Sequence, residues 1–281
     1  MAAFRPRVRR TPARAAAAAC PGLPAWARTP MPKRGEILAE SGRSSSRQRL
    51  DEVAESLTRE EGKTLAEEQG RDRARREPAA LLRGGGDRSP RARSIRSASA
   101  STFLYAERVP SGPVALITPW NFPIAIPAWK VAPALAFGNT VVFKPAELTP
   151  VTAWHLVDVL EKAGVPPGVL NLVVGRGSQV GQALVADPRI KAISFTGSER
   201  RRARARRAVP RSGARVPARD GGARTRWSCW PTRTLEKATE ITIAGAMLST
   251  GQKCTATSRV IVEKPVADRF RDGPGGPGRR R

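Results

Sequence analysis

Residues 114–147 decide the fold. They run Val-Ala-Leu-Ile-Thr-Pro-Trp-Asn-Phe-Pro, then Ile-Ala-Ile-Pro-Ala-Trp-Lys-Val-Ala-Pro-Ala-Leu-Ala-Phe-Gly, then Asn-Thr-Val-Val-Phe-Lys-Pro-Ala-Glu. The first four residues form a short apolar run stopped by Thr118-Pro119, as a buried strand does. Residues 124–137 read as an apolar helix closed by Gly138, and 139–143 as a second buried strand. Strand, helix, strand in this space is one βαβ unit.

The same alternation continues outward. Thr149-Pro150 has the form of a helix start, with Thr as N-cap and Pro in the first turn, and Ala153, Trp154, Val157 and Leu160 repeat at helical spacing up to Gly164. Residues 169–174 predict a third strand, 178–185 a helix, and 190–195 a fourth strand. Short strands alternating with helices argue for an α/β fold with a doubly wound, Rossmann-like parallel sheet. In such sheets ligands bind beyond the carboxyl ends of the strands. That places candidate ligand contacts at 118–122, 144–147, Gly175 and 196–198. Gly175-Arg-Gly-Ser-Gln-Val-Gly181 does not have Gly-x-Gly-x-x-Gly spacing. Trp129, Trp154 and Phe137 are expected in the core, and His155 as a packing or helix-surface residue.

Charge divides the chain into two kinds of sequence. The 281 residues carry 50 Lys+Arg, 24 Asp+Glu and one His, a net +26. Residues 101–198, 235–270 and 30–68 are close to neutral. Residues 1–29, 69–100, 199–234 and 271–281 hold +25, and every basic residue in them is Arg. These four segments, rich in Arg, Ala, Pro, Gly and Ser, are expected to be low-complexity or disordered. An excess of this size points first to a nucleic-acid partner. The segments lack interleaved aromatics, zinc ligands and any binding motif, so specific nucleic-acid binding is not expected. One His excludes a Ser–His or Cys–His nucleophile pair and most His-built zinc sites, so no metal is expected. Three scattered cysteines make no disulfide scaffold. The most apolar stretch, 114–143, is broken by prolines and Lys130, so no membrane span is expected. The Ala-rich start is a poor signal peptide, which leaves the cytoplasm as the expected location.

Four motifs occur in order: Ile117-Thr-Pro-Trp-Asn-Phe-Pro123, Gly138-Asn-Thr-Val-Val-Phe-Lys-Pro-Ala-Glu147, Phe195-Thr-Gly-Ser198 and Gly251-Gln-Lys-Cys254. Together they resemble the NAD(P)-dependent aldehyde dehydrogenase superfamily. The wording of 248–258 is most similar to its α-ketoglutaric semialdehyde dehydrogenase branch. The resemblance covers 101–198, an NAD-binding core, and 235–270, the start of a catalytic domain. It is recognisable in 30–68, as the family's amino-terminal helices, and absent from the Arg-rich pieces. It implies oxidation of a small aldehyde, in that branch a semialdehyde, to an acid. Cys254 would be the nucleophile, through a thiohemiacetal and a thioester, and Asn121 the oxyanion donor. It implies NAD as cofactor, with NADP also possible. Lys144 and Glu147 would hold the adenosine ribose, Thr118, Pro119 and Trp120 would line the nicotinamide side, and Ser198 would meet the pyrophosphate. It also implies a homo-oligomer.

The chain departs from the family after Ser198. Glu199-Arg-Arg-Arg202 replaces a glycine turn, and the family's general-base Glu falls at Arg219, which cannot accept a proton. The family's later catalytic and oligomerisation strands do not follow 235–270, so a truncated catalytic domain is expected. Back-translated and read from the third base of its first codon, Trp227-Ser-Cys-Trp-Pro-Thr-Arg-Thr234 can spell Val-Leu-Leu-Ala-Asp-Ala-Asp, the family's wording before Leu235-Glu236. Residues 199–234 are therefore expected to be out of frame, with similar shifts near 69–100 and after Phe270. The alternatives are a pseudoenzyme that binds NAD without turnover and an Arg-rich nucleic-acid-binding protein.

Overall fold

The computed structural model describes residues 11–48, 50–64, 93–95, 98, 101–106, 108–208, 225–229 and 234–272. The chain divides into two compact units, Met1–Arg219 and Asp220–Arg281.

The first unit is built on a four-stranded parallel sheet. Its strands are β3 (Val114–Ile117), β4 (Val141–Lys144), β5 (Leu170–Leu172) and β6 (Ala192–Phe195), in the order β5-β4-β3-β6. The hairpin of β1 (Arg93–Ile95) and β2 (Leu104–Ala106) forms a separate antiparallel pair. Each predicted strand of the sheet is present: the first has the expected bounds, and the other three start one or two residues later than expected. The run Val-Ala-Leu-Ile is buried along its whole length because both faces of a parallel sheet are covered. Alternate residues serve two cores. Val114, Leu116, Val141 and Phe143 join Trp26, Leu38, Leu135 and Leu160 on one face. Ala115, Ile117, Val142 and Ile193 join Ala15, Ala16, Ala19 and Leu184 on the other.

Helices α4 (Ala125–Ala136) and α5 (Pro150–Lys162) link the strands, with α6 (Gln182–Ala186) following a π-helical turn at Gly177–Gly181. Three amino-terminal helices, α1 (Pro12–Arg28), α2 (Met31–Gln48) and α3 (Leu50–Glu61), belong to this same unit. Arg34 of α2 is buried and ties α1 to the end of α4: Nε donates to the Ala136 carbonyl at 2.9 Å, and Nη1 to those of Trp26 (3.2 Å) and Thr29.

Three expectations are corrected. Residues 1–29 were expected to be disordered, yet Pro12–Arg28 is a helix whose Ala15, Ala16 and Ala19 are fully buried against the sheet. Ala is the best helix former, Thr11 caps the start through its hydroxyl (3.3 Å to the Arg14 N–H), and a methyl-sized face permits close approach. Gly168, at φ +85°, sits where a Cβ would lie 2.9 Å from the Ala18 carbonyl oxygen. The Arg-rich run after Ser198 forms α7 (Glu199–Ala208), since Arg and Ala both favour helix and Ala205 packs on the second core. Trp129 is 54% exposed on α4 rather than in the core. Residues 1–10, 69–92 and 273–281, and Arg219 lie outside the described residues.

The second unit holds β7 (Thr225–Cys229), also inside a segment expected to be disordered. It pairs in parallel with β8 (Thr257–Val262), beside α8 (Leu235–Met247) and α9 (Lys264–Asp272). Its core is small: Ala238 and Phe270 are buried, with Leu235, Val260 and Val262 packed around them. Among the described residues no helix is long and apolar enough to cross a membrane.

Candidate functional site

The sheet topology points to one edge. From β3 the chain moves outward to β4 and then β5, and β6 returns to the other side of β3. The order therefore reverses between β3 and β6, and such a switch point opens a crevice beyond the carboxyl ends of the strands. Those ends are level, because Ile117 is paired with both Lys144 and Phe195. The Thr118 N–H donates to the Lys144 carbonyl at 3.2 Å and the Thr196 N–H to the Ile117 carbonyl at 3.0 Å. Three loops thus emerge side by side: 118–122, 144–147 and 196–198.

The residues named from sequence divide clearly. Thr118, Pro119, Trp120, Asn121, Lys144, Glu147 and Ser198 all lie on these three loops of the first unit. Thr118 is buried, and its hydroxyl has no hydrogen-bond partner among the described residues. A buried, unanswered hydroxyl at the switch point fits a polar ligand. Trp120, Glu147 and Ser198 are exposed, and Ser198 directly precedes α7. Lys144 is buried and its ammonium donates to the Pro145 carbonyl at 2.5 Å. Burial holds Lys144 below the usual lysine range, with Glu147 acting to raise it and Arg201 to lower it.

Cys254 is in the second unit, half-buried and with a free thiol. It follows a tight loop after α8 in which Ser249, Thr250 and Gly251 have φ of 61°, 53° and 69°. Two successive non-glycine residues in the left-handed region carry strain, which collects at functional loops. The loop is closed by the Gly251 N–H to the Met247 carbonyl (3.0 Å) and the Gln252 N–H to the Ser249 carbonyl (2.9 Å). Among the described residues no group of three or more His, Cys, Asp or Glu is placed to hold a metal.

Sequence reasoning missed the turn after α3. The Glu60 carboxylate accepts the Val151 and Thr152 N–H groups, each at 2.9 Å, and so caps α5. Thr149, the expected cap, occupies the N-cap position but makes no side-chain cap bond. Lys63, 1% exposed, donates to the Asn121 main-chain carbonyl. It also pairs with Glu61 at 2.7 Å and lies 4.4 Å above the centre of the Phe122 ring. A Glu-Glu-Gly-Lys run ending an amphipathic helix was the available signal.

The fold and this edge define an α/β protein of the dinucleotide-binding type. The chain belongs to the aldehyde dehydrogenase family, whose profile matches residues 7–273. It is 43% identical over 248 residues to a 2,5-dioxopentanoate dehydrogenase of Saccharolobus solfataricus, across 88% of this chain and 51% of that protein. It is also 43% identical over 262 residues to an alpha-ketoglutaric semialdehyde dehydrogenase of Bacillus subtilis, across 92% and 52%. A betaine aldehyde dehydrogenase from Staphylococcus aureus, solved in complex with NAD+, superposes with a TM-score of 0.85 at 27% identity, across 92% of this chain and 51% of that one. The chain spans about half the length of the curated relatives it matches. The match from residue 7 extends the family pattern into the Arg-rich start, where sequence reasoning saw none.

Proposed function

We propose that the chain carries the cofactor and thiol machinery of an aldehyde dehydrogenase that oxidises a small semialdehyde to its acid with NAD. The observation that carries this is the switch point between β3 and β6, where the loops of Thr118–Asn121, Lys144–Glu147 and Thr196–Ser198 share one edge. The names of the two relatives support the substrate class.

In this reading Lys144 and Glu147 bind the adenosine ribose. The Glu147 carboxylate repels a 2′-phosphate, which favours NAD over NADP. Thr118, Pro119 and Trp120 line the nicotinamide side, and Ser198 at the start of α7 meets the pyrophosphate. The bound dinucleotide supplies the hydride acceptor. Cys254, as thiolate, adds to the aldehyde carbon to form a thiohemiacetal, and the Asn121 side-chain amide donates to the developing oxyanion. Loss of hydride leaves a thioester on Cys254, and water releases the acid. Arg219 stands where the family has its base and cannot take the proton from water. Hydrolysis is therefore slow, and we infer that residues 199–234 are read out of frame. Resequencing the gene tests that inference directly. Self-association is part of the same reading, supported by Phe103 and Tyr105, exposed beside one another with ring centres 5.9 Å apart.

The test is NAD and NADP calorimetry on the purified chain, with NADH formation from 2,5-dioxopentanoate followed beside Cys254→Ser. NAD is expected to bind more tightly than NADP. NADH is expected to form slowly, about 100-fold or more below a chain in which the reading frame is restored, as loss of a general base requires. Cys254→Ser abolishes it while leaving NAD affinity within about twofold. Absence of any dinucleotide binding overturns the proposal. Binding with no difference between the chain and Cys254→Ser makes it a pseudoenzyme instead.

A further inference from the structure

The turn Glu60-Glu61-Gly62-Lys63 touches the 118–122 loop and the first turn of α5, the helix that follows the 144–147 loop, although it lies about 60 to 90 residues before them in sequence. Gly62, at φ +74°, lets the chain reverse at the end of α3 so that residues on both sides of it face the sheet edge. On one side, Glu60 holds the first two free amides of α5 with both carboxylate oxygens. Position and direction of α5 set the preceding segment, 144–149, because Pro150 opens the helix directly after it. On the other side, Lys63 binds the main chain of Asn121 and lies over the ring of the next residue, Phe122. Its bond is to the carbonyl, so the Asn121 side-chain amide is not consumed by it. The Lys63 ammonium is held in place by Glu61, both side chains being fully buried. A buried cation that spends a hydrogen bond on a loop carbonyl fixes that loop far more firmly than a solvated one.

We propose that this turn is a brace for the site: Lys63 positions the Asn121 loop and Glu60 positions the Lys144–Glu147 loop, so that one tetrapeptide sets the spacing between the oxyanion donor and the ribose-binding pair. Glu60 and Lys63 are positioning residues and touch neither reactant. The proposal rests on the cofactor and oxyanion roles given above for those loops.

Site-resolved hydrogen exchange on the full chain tests the brace without requiring turnover. Removing Lys63 alone strands the Glu61 carboxylate in the interior and risks unfolding, so Glu61→Gln/Lys63→Met, which neutralises the pair at constant volume, is the informative variant. In it the amides of Trp120, Asn121 and Phe122 are expected to exchange about tenfold faster or more, as loss of a charged hydrogen bond predicts. Those of β3 to β6, and of Val151 and Thr152, stay protected. Glu60→Ala gives the converse: Val151 and Thr152 are deprotected and 120–122 unchanged. Loss of protection spread evenly over the sheet in both variants, or no loss in either, overturns the proposal. NAD calorimetry then separates it from the reading it rests on. If the parent chain binds no NAD, the functional reading fails while the exchange pattern still decides the brace. If the parent binds NAD, each variant is expected to weaken it about tenfold, and unchanged affinity refutes the positioning role.

Discussion

The two compact units differ most in how much core each owns. The first buries two apolar clusters, one on each face of a four-stranded sheet, and fills them from seven helices and strands or more. The second has a small core around Ala238 and Phe270, a two-stranded parallel pair, and Met247, Leu248 and Ile261 exposed. The loops assigned to the cofactor stand on the first, and the thiol on the second. A two-stranded pair with so small a core is marginal in water, so the second unit is expected to open locally while the first stays closed. The proposed cofactor loops and the proposed nucleophile therefore rest on scaffolds of unequal stability. A chain of this kind can retain the first after losing the second.

Phenylalanine truncation is the strongest way to break that contrast. Phe143, 0% exposed at the centre of the sheet, makes Phe143→Ala cost about 3–5 kcal/mol, with loss of exchange protection across β3 to β6. Phe270→Ala removes the largest buried side chain of the second unit's core, and is expected to deprotect α8, β8 and α9 while β3 to β6 are unchanged. Global unfolding by Phe270→Ala, measured by exchange and chemical denaturation, would show that the units are not independent.

Much of the first unit was legible because a parallel sheet leaves a strong signature: unbroken apolar strands, helices between them, and turn residues at the joints. The strand-end loops followed from the topology rule alone. What escaped has a common physical cause. Composition took the Arg/Ala run of 12–28 for disordered chain. Helix propensity and a small-residue face decide such a segment, and composition is blind to both. The Glu60 cap and the Lys63 contact join residues 58 to 92 positions apart, a separation at which no local pattern operates. The left-handed loop before Cys254 is equally silent, since Ser249 and Thr250 are not residues that announce positive φ. Gly168→Ala tests the docking of α1 that composition concealed. The added methyl would meet the Ala18 carbonyl oxygen at 2.9 Å, at a φ of +85° that alanine rarely adopts. A loss of about 1–3 kcal/mol is expected, with exchange protection lost first in α1. An unchanged melting curve would mean that α1 contributes little to the first unit.

The finest form of the comparison sets the same ion pair in two environments. In the first unit Asp187, its side chain 9% exposed, accepts two guanidinium bonds from Arg189, Nε at 2.9 Å and Nη2 at 2.6 Å. In the second unit Arg271 makes the same fork with Asp272, at 2.9 Å and 2.7 Å, both side chains about 60% exposed. The Arg189 hydrogen bonds hold the Asp187 carboxyl below its ordinary range despite the opposing effect of burial. A depressed carboxylate contributes its full stability above the unfolded value, near pH 3.9, and loses it as pH falls through the lower folded value. Asp187→Asn is therefore expected to cost about 1 kcal/mol at neutral pH, allowing for the part-exposed Arg189, and the gap between variant and parent closes on strong acidification. Asp272→Asn is expected to leave the denaturation curve unchanged at every pH, because water already solvates both partners. Equal effects from the two substitutions would mean that burial does not distinguish these pairs, and would remove the electrostatic half of the contrast between the units.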